Sequence, residues 1–129
     1  LKKLKFEKQL CIDFDGVLAE TRNYVEIVGM KPHAREAIKL LKKLGYKIII
    51  FSCRTTPLKR GKKFPNHSRQ RIVKDMINFL KQHKIPYDRI DYGKNGKPFA
   101  NYYIDDRAIE YKNNWMEIVQ FLVNKELSG

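Results

Sequence analysis

The sequence predicts an α/β protein, a Rossmann-like open parallel sheet flanked by helices, and three observations point there. Short apolar runs alternate along the chain with apolar stripes at helical spacing. One run, "YKIIIFS", is too apolar to have a solvent face, as in a parallel sheet covered on both sides. Carboxylates and hydroxyls follow directly on several of these runs, where an open parallel sheet gathers its ligands.

The elements follow in order. "KQLCIDF" is the first strand, and 16–31 is an irregular excursion with a short hairpin around "NYVEIVG". Pro32 then opens a helix in which Ala34, Ala37, Ile38, Leu41 and Leu44 share one face, and Gly45 ends it. "YKIIIFS" is the second strand. The segment "CRTTPLKRGKKFPNH" is rich in turn residues and positive charge and reads as a loop. A second helix begins near Ser68, with Ile72, Val73, Met76, Ile77 and Leu80 as its stripe. "YDRIDYG" and "ANYYIDD" supply a third and a fourth strand. A last helix carries Trp115, Ile118, Val119 and Leu122, a stripe expected to lie in the core. No linker or repeat divides residues 1–129, so a single domain is expected.

Composition narrows the classes of function. No apolar run approaches the roughly 18 residues of a membrane span, and "LKKLKFEKQL" lacks the apolar core of a signal peptide, so a cytoplasmic protein without membrane contact is expected. Cys11 and Cys53 lack metal-ligand spacing and are expected to be reduced, buried thiols. The formal charge of +13 gathers in "LKKLK", "KLLKK", "KRGKK" and "GKNGK". It supports an anionic partner without naming one, although a lysine-rich solvated surface is the simpler account of it. His33 and His83 fall at helix ends and His67 in the basic loop, in no metal or catalytic arrangement.

The chemistry lies at the strand ends. Asp13 and Asp15 close the first strand, Ser52 the second, and Asp105 and Asp106 the fourth, with Lys94 and Lys97 just before the fourth. Asp15-Gly16 alone is also an ordinary turn signal. The turn leaves the other groups unexplained, whereas one crevice holding four carboxylates requires a compensating cation. Magnesium suits it: a hard ion that takes oxygen ligands and keeps waters for a phosphate to displace.

This order, in "DFDGVL", "IIFSCRT" and "KPFANYYIDDRA", resembles the haloacid dehalogenase-like (HAD) hydrolase superfamily, and in particular its small phosphatases. The resemblance spans nearly the whole chain. It implies a magnesium-dependent phosphomonoester hydrolase in which Asp13 is the nucleophile that forms an aspartyl-phosphate and Asp15 the general acid–base. Ser52 would hydrogen-bond a phosphoryl oxygen, with Arg54 as a second phosphate contact. Lys97, or its rival Lys94, would neutralise charge beside Asp13. Magnesium would be held by Asp13, Asp105 and Asp106 together with the backbone carbonyl of Asp15. No segment is long enough to be a large cap, so the site is expected to be open. Such a site admits a nucleotide or a nucleic-acid phosphate end. Two other classes stand beside this one: a receiver-like phospho-signalling domain, and a nucleic-acid-binding module with a vestigial site. The receiver places its acidic pair first and its phosphorylated aspartate in a middle strand, the reverse of the order here.

Overall fold

Strand β1 (Lys8–Asp13) lies inside a four-stranded, wholly parallel sheet, between β4 (Tyr46–Phe51) and β6 (Tyr102–Ile104), with β5 (Arg89–Asp91) beyond β4. The structure, a computed structural model, describes residues 2–128. Between β1 and α1 (Ala34–Leu44) a short antiparallel hairpin forms from β2 (Ala19–Arg22) and β3 (Glu26–Met30). Helices α3 (Arg69–Gln82) and α4 (Trp115–Ser128) follow β4 and β6, and a single turn of helix, α2 (Thr56–Lys59), interrupts the loop after β4.

The pleat explains the layers. Residues alternate between faces along a strand, and Leu10, Ile12, Ile48 and Ile50 point into one buried cluster with Ala34 and Ile38 of α1 and Met76, Phe79 and Leu80 of α3. Each Ile or Leu so buried stabilises the fold by about 1.5–3 kcal/mol. Gly45 stops α1 at φ 104°, a left-handed position that glycine adopts without a steric penalty, and its N–H caps Leu41 and Lys42 carbonyls. The Ser68 side chain caps α3 by accepting the Arg71 N–H, which contributes about 1 kcal/mol. Asp88 joins α1 to the sheet, its carboxylate accepting from Lys42 Nζ at 2.7 Å and from the Ile48 N–H at 2.7 Å.

The α/β class, the parallel sheet, the hairpin and the four strands agree with the sequence. Several packing expectations do not. Ala37 and Ile77 turn to solvent, and Phe79 takes a place in the core that the stripe did not assign. Cys11 is buried, but Cys53 is exposed, because the chain leaves the sheet at Phe51. The basic loop contains α2, whose Pro57 sits in the first helical turn, where a missing N–H is tolerated. The largest correction is α4. Trp115, Val119 and Leu122 are exposed and Ile118 is half-buried, so this stripe is not core. No described helix is long and apolar enough to cross a membrane.

Candidate active site

Topology brings the groups together. From β1 the chain moves outward to β4 and β5, then returns past both to place β6 on the other side of β1. The carboxyl end of β1 is therefore the point where strand order reverses, the usual crevice of an open parallel sheet. Asp13 stands at that end, in register with Phe51 of β4. The connection from β5 to β6 must cross the same edge, and it carries Lys97.

Lys97 settles over the sheet face that bears Asp13. Its ammonium lies 5.5 Å from the Phe51 ring centroid and 5.4 Å from that of Tyr103, so two aromatic faces steady the cation. Tyr103 is itself fixed, its hydroxyl donating to Pro98 O at 2.8 Å and accepting from the Ala100 N–H at 3.0 Å. From this seat Lys97 Nζ reaches Asp105 Oδ2 at 2.9 Å and Asp13 Oδ1 at 3.4 Å. Among the described residues it is the lysine that pairs with these carboxylates; Lys94 is exposed, three residues earlier in the same loop. Pairing with Asp105 and Asp13 raises the Lys97 pKa despite the opposing effect of burial, so the side chain is a permanent cation.

Asp13, Asp105 and Asp106 each offer an oxygen within 4.8 Å of the others, a spacing that suits one bound cation. Asp13 Oδ1 is buried and accepts no hydrogen bond, although Lys97 Nζ lies 3.4 Å away, so it keeps acceptor capacity for a cation. Burial, and then a carboxyl–carboxyl hydrogen bond with Asp105, push the Asp13 pKa up to about 6 against the pull of Lys97. Asp105 moves the other way, down to about 2, because the Arg107 N–H and Lys97 both donate to it. A hard dication would relieve the proton-sharing between these two groups. The all-oxygen donor set suits a hard cation, a class that includes magnesium, and offers no soft ligand for a thiophilic metal.

Gly16 makes this crowding possible. Its φ is +83°, and a Cβ at that position would lie 2.3 Å from Asp106 Oδ2. The glycine thus serves both the left-handed turn and the close approach of the acidic pair.

Asp15 occupies a separate compartment. Its carboxylate is not among the three whose oxygens lie within 4.8 Å of one another. Oδ1 lies 3.4 Å from Arg54 Nε. Burial raises the Asp15 pKa, with Arg54 and the Thr21 hydroxyl opposing. Arg54 is the residue whose role the structure changes. Its side chain is only 2% exposed, its Nη1 donates to Ile72 O at 3.3 Å, its Nη2 donates to Val25 O, and its guanidinium packs 5.5 Å from the Phe14 ring centroid. The expected phosphate contact is a buried counter-charge for Asp15. Ser52 is also buried, at the carboxyl end of β4, with its Oγ accepting the Arg54 N–H at 3.2 Å.

Sequence reasoning missed two contributors. Thr21 reaches Asp15 from the hairpin, and Tyr103 braces the lysine loop. Neither had a motif to mark it, although a tyrosine two residues before an acidic strand end is placed on the same face as that end. Of the histidines, His33 precedes α1 in a left-handed conformation without a side-chain cap, and the His83 ring lies 4.4 Å from that of Phe79. His67 lines a groove of ≈ 390 Å³ with Tyr24, Lys62 and Phe64.

No protein-family model matches this chain, and no curated protein matches it significantly. Solved structures do, two of them as follows. A conserved protein from Bacteroides thetaiotaomicron is 21% identical, with a TM-score of 0.55 over 93% of each chain. A crystallised target protein from Vibrio cholerae is 28% identical, with a TM-score of 0.50 over 92% of this chain and 98% of its own. The first likeness is one of fold, extending over nearly the whole length of both proteins.

Proposed function

We propose that this protein is a phosphomonoester hydrolase of the haloacid dehalogenase-like type, dependent on magnesium, lacking a large cap, and acting through an aspartyl-phosphate. The observation that carries the reading is the convergence on Asp13: Lys97 at 3.4 Å, and oxygens of Asp105 and Asp106 within 4.8 Å. A nucleophilic carboxylate needs a cationic surround to accept a phosphoryl dianion, and this one has a lysine and a place for a dication.

Asp13, Asp105 and Asp106 would hold magnesium, which supplies charge neutralisation at the phosphoryl oxygens. An Asp13 oxygen attacks phosphorus, and the bond from phosphorus to the ester oxygen breaks. Asp15, whose pKa burial raises, would donate a proton to the leaving oxygen. Asp15 then takes a proton from water as that water attacks the phosphorus of the aspartyl-phosphate, releasing phosphate and restoring Asp13. Ser52 and Lys97 bind the phosphoryl oxygens, and Arg54 holds Asp15 in place. The residues inserted after β1 form only a hairpin, and those after β4 only a loop with one helical turn, which supports an open site. With the formal charge of +13, that openness favours a nucleotide or a nucleic-acid phosphate end as substrate.

The test is phosphate release from nucleotides, sugar phosphates and phosphate-ended oligonucleotides, with and without magnesium. Turnover is expected with the metal, lost in Asp13→Asn and Lys97→Met, and kept in Lys94→Met. Stable phosphorylation of Asp13 without turnover would instead indicate a receiver. Salt-sensitive nucleic-acid binding with no release from any ester would indicate a binding module.

A further inference from the structure

Helix α4 is largely apolar outside a polar stripe through Glu117, Gln120 and Asn124, and of its apolar residues among those described only Ile118 is half-buried. Trp115, Met116, Phe121 and Leu127 are 67%, 77%, 50% and 82% exposed, and Val119, Leu122 and Val123 on the intervening positions are also open. Exposed apolar patches beyond a few hundred Å² mark contact sites.

The same chain carries a matching vacancy. Tyr102 and Ile104 pair in register with Leu10 and Ile12, on the face that α1 and α3 cover over β1 and β4. Over β6 that cover stops, and Tyr102 and Ile104 remain 52% and 40% exposed. Strand β6 is also an edge of the sheet, with one side unpaired.

We propose that two copies of this chain associate through a two-fold axis, with α4 of each lying on the uncovered β6 flank of the other. One chain supplies both the apolar helix and the flank that lacks a helix, so a second copy satisfies both surfaces at once, as an isologous interface requires. The apolar side chains on one face of α4, with Tyr102 and Ile104, present on the order of 500–600 Å² per chain, approaching the ~800 Å² per partner of a standard interface. Charge points to the same place. The chain as a whole carries +13 and repels its copies, whereas α4 contains only Glu117, Lys125 and Glu126, a net charge of −1. A helix of 14 residues is about 21 Å long, enough to run the length of the short β6 and beyond. This inference is independent of the phosphatase chemistry.

Sedimentation equilibrium of the full chain over a dilution series is expected to give twice the 15.3 kDa mass, and Trp115→Lys with Val119→Lys is expected to give a folded monomer. The exchange of helices is tested in a Cys53→Ser background by Tyr102→Cys combined with Val119→Cys or, on the other side of the helix, Phe121→Cys. Mild oxidation is expected to link two chains through one of these pairs. A disulfide within a single chain would show α4 folding back on its own sheet and would overturn the proposal. So would a monomeric wild type, a double-lysine variant that remains dimeric, or the absence of any link from both pairs.

Discussion

The guanidinium Nε of Arg54 lies 3.4 Å from Oδ1 of Asp15, and both atoms are buried without a hydrogen bond. The pair is an ion contact in a poorly solvated pocket, and the other Arg54 nitrogens are occupied by the Val25 and Ile72 carbonyls. It ties the carboxylate after β1 to the hairpin and to α3. Burial lowers the Arg54 pKa, and the opposing influence of Asp15 limits that fall.

Arg54→Met, similar in length and uncharged, is therefore expected to leave Asp15 without its counter-charge and two carbonyls without donors. Breaking a buried pair from one side costs about 3–5 kcal/mol, and the 33% exposure of Asp15 places this case at or below the lower end. Urea unfolding measures the loss. The Asp15 pKa, already raised by burial, should rise further, because Arg54 is what holds it down. If Asp15 is the general acid, the alkaline limb of kcat/KM then moves to higher pH. A folded variant with an unmoved limb would remove Asp15 from that role.

The second prediction concerns stability against pH in the absence of metal. Asp13 has a raised folded-state pKa, from 3.8 to about 6, so the folded form keeps a proton that the unfolded chain has lost. Stability from this group is full below about pH 4 and declines as pH rises toward 6, by roughly 2–3 kcal/mol. Asp105 has the opposite sign: lowered from 3.8 to about 2, it contributes above pH 3.8 and loses that contribution as pH falls through 2. Asp13→Asn removes the first effect. It is expected to be more stable than wild type above pH 6 without metal, and magnesium should narrow the gap by stabilising wild type. Equal melting temperatures for the two proteins, with and without magnesium, would argue against a shared acidic site.

Legibility of the sequence was uneven, for physical reasons. Asp13 and Asp105 were readable because a carboxylate ending an apolar strand has few purely structural uses, and parallel strands bring such ends to one edge. Position in the sequence leaves Lys94 a rival of Lys97, and the ion pairs fall on Lys97. Arg54 was not readable, since its burial depends on carbonyls 29 residues before it and 18 after it. Nor was the exposure of α4, because helical periodicity reports that a face is apolar and not which surface meets it. Ala37 and Ile77 illustrate the same limit, sitting at the margins of their stripes, where a small rotation of the helix decides burial.

Gly16→Ala separates backbone strain from site geometry. The φ of +83° penalises any Cβ by about 1–2 kcal/mol, and the methyl would also meet Asp106 Oδ2 at 2.3 Å. Gly61 has nearly the same φ, +86°, with nothing within 4 Å of its Cβ position. Both alanine variants are expected to lose similar backbone stability, while only Gly16→Ala weakens magnesium binding by displacing Asp106. Calorimetric titration of magnesium into both variants decides it. Wild-type affinity in Gly16→Ala would place Asp106 outside the metal site.

The last prediction concerns the basic loop and the distal part of the substrate. Lys62 Nζ lies 4.2 Å above the Tyr24 ring at the hairpin tip, and the Tyr24 and Phe64 rings are 6.4 Å apart, so the loop leans on the hairpin and bounds a groove with it. The next hairpin residue, Val25, gives its carbonyl to Arg54, the partner of Asp15, which links this wall to the reaction site through one buried side chain. Neutralising Lys59, Arg60, Lys62 and Lys63 together is expected to raise KM for a phosphate-ended oligonucleotide several-fold more than for para-nitrophenyl phosphate. Attraction between the loop and a substrate grows with the substrate's charge and is screened by salt, so the difference should shrink as ionic strength rises. A solubilising loop would instead change both constants equally, at any salt. Steady-state kinetics of the neutralised variant on the two substrates, at low and high salt, separates the two roles.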